Sequence, residues 1–177
     1  RLPEWARTAP ACRQAEAMAK VRQVELKAFT TLKVGGPAEL WEVEDEADLR
    51  EATAEPYRVI GAGSNLLVAD EGVCDRVIRL GRSFNDMANF DGGADLWLGA
   101  ATPLPGLVRR AQRAGLSGLE VLLGVPAVVG GAVAMNAGTR FGEMSDTLQE
   151  VELFVNGALT RVPAAALNLS YRYAELP

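Results

Sequence analysis

Two glycine-rich stretches hold the residues best suited to chemistry. Residues 60–67 read IGAGSNLL, and residues 118–138 read GLEVLLGVPAVVGGAVAMNAG. Glycine lets main chain approach another group closely, and successive main-chain N–H groups in a glycine turn form a concavity that binds anions without any helix. Ser64 and Asn65 add side-chain donors to the first stretch. Two such loops in one small chain can clamp a dinucleotide between them. Each also has a plainer explanation. A simple strand-to-strand turn accounts for the first equally well, and a tight core helix whose glycines admit neighbouring elements accounts for the second. The Rossmann fingerprint fails here, because Leu66 stands where the third glycine belongs and the following LLVAD is strand-like rather than helical.

Residues 121–135 carry no charged or polar side chain, so the expectation is a buried run. The run is too short for a membrane span and is broken by Gly124, Pro126, Gly130 and Gly131. It reads as compact, irregular backbone inside a protein, whose main-chain donors need partners.

Composition narrows the function further. The chain has 177 residues, 49% apolar and 23% charged, which suits an ordinary globular fold. A net charge of -5 without a dense Lys/Arg cluster argues against nucleic acid as a partner. There is no histidine, which excludes Ser-His-Asp and Cys-His catalysis, the usual zinc sites and a histidine-linked covalent cofactor. Cys12 and Cys74 have neither disulfide-framework nor metal-ligand spacing. The N-terminal residues lack the regions of a secretory signal, so a cytoplasmic protein with no membrane partner is expected. The start on Arg1 and the end on Leu176-Pro177 suggest part of a longer product.

The elements that must hold the two loops follow from pattern. Residues 1–21 read as a tail and an outer helix, and the sequence turns extended from Val24. Residues 30–45, TTLKVGGPAELWEVED, read as a strand, a Gly35-Gly36-Pro37 break and a second strand. DEADLREATAE is a short helix with acids in its first turn, and residues 57–60 form a strand running into the GAGSN loop. Another strand spans 76–80, and a lobe boundary falls near Gly81. A strand at 96–100 and an amphipathic helix at 103–114, ended by Gly115, come next. Asn156-Gly157 marks a hairpin between strands 148–155 and 158–162. A helical turn at 163–167 leads into LSYRY.

The set TTLKVGGPAELW, VIGAGSNLLVADEG, AGLSGLEVLLGVPAVVGGAVAMNAG and LSYRY, in this order and spacing, resembles the UDP-N-acetylenolpyruvoylglucosamine reductases over about residues 24–177. These flavoproteins make UDP-N-acetylmuramate for peptidoglycan. The resemblance implies an α+β chain with the two-lobed FAD-binding fold of the vanillyl-alcohol oxidase / p-cresol methylhydroxylase type. A small α/β lobe would span 22–80, and a second lobe, an antiparallel sheet with helices, would span 81–168. Residues 169–177 would start a substrate-binding domain. Non-covalent FAD would lie between the lobes. By position, Gly61, Ala62, Gly63, Ser64, Asn65 and Leu66 would wrap its pyrophosphate. Pro126, Gly130, Gly131, Ala132, Asn136 and Gly138 would line the flavin and its ribityl chain.

The chemistry so implied is hydride transfer from NADPH to FAD and then to the enolpyruvyl double bond of a UDP-sugar. Arg172 would stabilise the negative charge that develops on the substrate, and Tyr171 would position it or the substrate. Without the resemblance, Tyr171-Arg172 reads as a solvated strand end. Two departures limit the carry-over. Relatives commonly have serine where this chain has Ala174, and the family's proton-donating serine and late glutamate belong to a third domain outside these residues. The chain is therefore expected to bind FAD and to be incomplete or inactive as an enzyme. The alternatives are a flavin oxidase or dehydrogenase of the same fold acting on another substrate, and a non-catalytic flavin-binding remnant.

Overall fold

The computed structural model describes residues 19–87, 93 and 95–176. The expected outer helix at 11–21 lies outside them except for its last residues, and there Lys20 and Val21 already belong to a strand.

Strands β1 (Lys20–Glu25), β2 (Pro37–Val43), β3 (Tyr57–Val59) and β4 (Arg76–Leu80) form one sheet in the order β1-β2-β4-β3. β1 is antiparallel to β2, whereas β2 and β3 both run parallel to β4. Helix α1 (Glu46–Ala52) makes the crossover from β2 to β3, as parallel strands require. Asp45 caps it, its carboxylate accepting the Asp48 amide at 2.9 Å. Alternation along β2 sends Ala38 and Leu40 to one face, where they meet Leu26, Ile60 and Val77. Trp41 and Val43 go to the other, with Leu49, Ala52 and Ile78. Burial on both faces is the usual state of parallel strands.

The expected strand before the Gly35-Gly36 break does not form. Thr30 Oγ1 donates to the Val34 carbonyl at 2.7 Å, and Lys33 adopts a φ of 58°. That local turn withdraws residues 30–34 from the ladder, and β1 takes their place beside β2. The strand-like LLVAD is also irregular.

A second core gathers around α2 (Leu104–Arg113) and α3 (Val129–Ala134). α2 buries Leu104, Leu107, Val108 and Ala111, a single helical stripe. Beyond it Gly115, with a φ of 70°, lets the Leu116 amide reach the Ala111 carbonyl at 3.0 Å. The expected strand at 96–100 joins no ladder. The amides of Gly99 and Ala101 instead reach the carbonyls of Asp86 and Phe84. Two separate antiparallel pairs replace a single sheet in this half: β5 (Gly138–Thr139) with β6 (Gly142–Glu143), and β7 (Glu150–Val155) with β8 (Ala158–Pro163). The turn between β7 and β8 has positive φ at both Asn156 (52°) and Gly157 (80°), the geometry that an Asn-Gly hairpin selects. Phe154 packs on the Trp41 core, and Arg50 Nε donates to the Gly157 carbonyl at 2.9 Å, so this hairpin joins the two halves.

Candidate functional site

The first glycine loop leaves the end of β3, the carboxyl edge of its parallel strands, where open α/β sheets bind ligands. Ile60 is still held, its amide donating to the Ile78 carbonyl at 2.9 Å. The amides of Gly61, Ala62, Gly63, Ser64 and Asn65 then donate to no acceptor among the described residues. Gly63, buried and at a φ of 64°, shows why glycine is needed: a Cβ there would stand 2.0 Å from the Phe29 carbonyl oxygen. The Thr31 amide, donating to the Gly63 carbonyl at 3.0 Å, pins the loop from the same side. A fixed loop with a run of unpaired main-chain donors fits an anion such as the pyrophosphate of a dinucleotide.

The central apolar segment meets this loop. A Cβ on Gly61 would lie 2.9 Å from Val128 Cγ2, so the first glycine bend and the approach to α3 share a surface. The segment itself departs from the irregular backbone expected of it. Residues 129–134 are helical, and Gly130 admits a neighbour: a Cβ there would stand 3.0 Å from the Ala100 Cβ, while its amide donates to the Ala100 carbonyl at 2.8 Å. The core-helix alternative thus describes this part of the run. Nor is the run buried throughout, for Leu123, Gly124 and Pro126 are exposed where Gly124, at a φ of 87°, turns the chain outward.

The remaining residues divide by burial. Pro126 is exposed and Gly131 and Gly138 are half-buried, so a ligand can reach them. Ala132 is wholly buried in the second core, and Asn136 is 2% exposed. Both side chains are enclosed by the surrounding protein.

A cavity of about 300 Å³ opens beyond α3, lined by Asn136, Gly138, Thr139, Arg140, Glu143, Tyr171 and Arg172. Tyr171 and Arg172 form the tip of a tight turn rather than a strand end. The amides of Ser170 and Tyr173 each donate to the other's carbonyl at 3.0 Å, and Arg172 has a φ of 58°. Both tip residues are exposed, with the Arg172 guanidinium 5.9 Å from the Tyr171 ring centre. Arg140 and Thr139 line the same cavity, and the motif pattern gave no reason to single them out.

Among the described residues no group of His, Cys, Asp and Glu could hold a metal ion. Nor is any described helix long and apolar enough to cross a membrane. Cys74 carries a free, exposed thiol.

Comparison with known proteins agrees with this geometry. Residues 33–161 match the FAD binding domain family. UDP-N-acetylenolpyruvoylglucosamine reductase of Thermus thermophilus is 58% identical over 160 residues, which are 89% of this chain and 58% of that protein. The crystal structure of the enzyme of that name from Thermus caldophilus superposes with a TM-score of 0.85 at 57% identity, over 90% of this chain and 58% of that one. Cholesterol oxidase from Brevibacterium sterolicum shares the fold at 16% identity, with a TM-score of 0.57 over 88% of this chain and 35% of its own. The chain therefore spans a little over half the length of the reductases it matches.

Proposed function

The chain belongs to the FAD binding domain family, and we propose that it is the flavin-binding part of a UDP-N-acetylenolpyruvoylglucosamine reductase of peptidoglycan precursor synthesis. The observation that carries the reading is the run of unpaired amides from Gly61 to Asn65, on a loop that touches the apolar segment at Val128. In this reading Gly61–Leu66 hold the pyrophosphate, and Pro126, Gly131 and Gly138 present main chain to the rest of FAD. Ala132 supports these contacts from inside, and half-buried Gly130 holds the segment against Ala100. The lobes divide near residue 80, and residues 169–177 lead into the substrate domain. Bound FAD, held without a covalent bond, would supply hydride transfer from NADPH to the enolpyruvyl double bond of a UDP-sugar. The protein would act in the cytoplasm.

What the chain itself contributes is shape and charge. The carbonyls of Thr102 and Ala100 accept the amides of Val129 and Gly130, so the protein itself fixes the start of α3 and those two amides are not left for a ligand. Arg172 makes no ion pair among the described residues, and its guanidinium is available to an anionic substrate group in the cavity. Hydride addition to an enolpyruvyl group places negative charge on its carboxylate and enolate oxygens. A guanidinium fixed beside them stabilises that charge as it develops and so lowers the barrier.

The test is a visible absorption spectrum of the purified chain with and without added FAD, followed by anaerobic reduction with NADPH. A flavin spectrum with stoichiometric uptake is expected. Colourless protein that takes up no FAD would overturn the reading. In the full-length protein, reduced flavin is expected to be reoxidised by UDP-N-acetylglucosamine enolpyruvate, and a failure there would transfer the fold to another substrate.

A further inference from the structure

Asn136 is buried, has a φ of 39°, and is fully engaged by the protein. Its Nδ2 donates to Glu143 Oε2 at 2.7 Å and to the Ser170 carbonyl at 3.0 Å, and its Oδ1 accepts the Ser145 amide at 3.0 Å. Both amide hydrogens are therefore used, and none is left for a ligand. Asparagine suits the position because it tolerates left-handed backbone while carrying donors and an acceptor.

These bonds end at the base of the turn that displays Tyr171 and Arg172. The Ser170 carbonyl receives both the Asn136 side chain and the Tyr173 amide. Left-handed φ at Arg172 is costly for a residue with a β carbon, so the turn needs support from outside itself. Among the described residues, the bond from Asn136 is the hydrogen bond that reaches residues 170–173 from elsewhere in the fold. The same side chain holds Glu143, a carboxylate that lines the cavity with Arg172 yet forms no ion pair with it.

We propose that Asn136 is a positioning residue: through the Ser170 carbonyl it sets the turn that aims Arg172 into the cavity, and it keeps Glu143 from neutralising that guanidinium. The inference rests on Arg172 as the charge-stabilising group of the proposed reaction.

Asn136→Asp keeps the side-chain shape and the acceptor for Ser145, and a proton shared between the adjoining Asp and Glu143 carboxylates lies between them, so none is donated to Ser170. In the flavin-loaded chain it is expected to speed hydrogen exchange at the Tyr173 amide about tenfold, the equivalent of one hydrogen bond. Exchange in β2 and β4 and the affinity for FAD are expected to stay unchanged. In the full-length protein it is expected to slow reoxidation of reduced flavin by the enolpyruvyl nucleotide about tenfold, with reduction by NADPH unaffected. Added to Arg172→Lys, it is expected to cause no further loss. Asn136→Gly, which relaxes the backbone, is expected to behave alike and serves if the Asp variant does not fold. Unchanged exchange at Tyr173, or losses that multiply in the double variant, would overturn the proposal. If Arg172→Lys alone leaves reoxidation untouched, it is the role of Arg172 that fails, and the exchange at Tyr173 still decides whether Asn136 holds the turn.

Discussion

A Cβ placed on Gly61 would stand 2.9 Å from Val128 Cγ2, so two segments far apart in sequence come into contact with no room between them for a larger side chain. The loop of unpaired amides and the apolar run are thereby neighbours in the fold. In the proposed reading FAD lies across both.

This contact makes its own prediction. Gly61→Ala is expected to weaken FAD binding, because the added methyl pushes the loop from Val128, and Gly61→Ala with Val128→Ala is expected to recover most of the loss. Fluorescence titration of FAD checks both. Recovery in the double variant separates a contact from a general loss of fold.

Gly63 is a harsher test of the loop. Gly63→Ala adds a φ penalty of roughly 1–2 kcal/mol and a collision with the Phe29 carbonyl. Differential scanning calorimetry is expected to record a fall in Tm of at least about 2 °C, the shift per kcal/mol usual at this size. FAD affinity is expected to fall as well, since the displaced loop would move the unpaired amides of Ala62 to Asn65.

Arg172→Lys in the full-length protein keeps the charge and loses the planar fork. Flavin binding and reduction by NADPH are expected to be unaffected, while reoxidation by the enolpyruvyl nucleotide slows by about a hundredfold. Stopped-flow absorbance of the two half-reactions checks this, and equal rates in both would remove Arg172 from the chemistry.

Glu44 sets a pH dependence of stability. The Ser83 amide donates to its Oε2 at 2.8 Å. That bond, with lesser help from the Ser83 hydroxyl, the Arg82 amide and Lys20, outweighs desolvation and holds its carboxyl below the ordinary value of 4.5. A folded pKa below the unfolded one gives stability that is complete above about pH 4.5 and is lost as pH falls through the folded value. Glu44→Gln is expected to flatten the acid limb of urea-unfolding midpoints while leaving their pH slope above pH 6 unchanged.

The hairpin turn tests local chemistry. Asn156→Val forces a β-branched residue to a φ of 52°, at a cost of about 1–2 kcal/mol. The urea midpoint is expected to drop accordingly with no change in the slope of unfolding.

What the amino-acid sequence determined by itself is what short range decides. The acidic first turn of DEADLREATAE, Gly115 as terminator and Asn156-Gly157 as hairpin turn act within a few residues, so their signals are local and legible. The two glycine stretches likewise announced close backbone approach, and the family motifs built on them led to FAD, whereas the apolar run is buried only in part. Tertiary structure decided the rest, because it depends on partners distant in the chain. β1 displaced residues 30–34 beside β2, an outcome of competition between a local turn and a ladder. Gly130 makes room for Ala100, and Gly61 meets Val128, relations that no spacing encodes. Asn136, which the resemblance places against the flavin, has its side chain buried in the fold, where Glu143 and the Ser170 carbonyl accept its two amide hydrogens and its Oδ1 accepts the Ser145 amide.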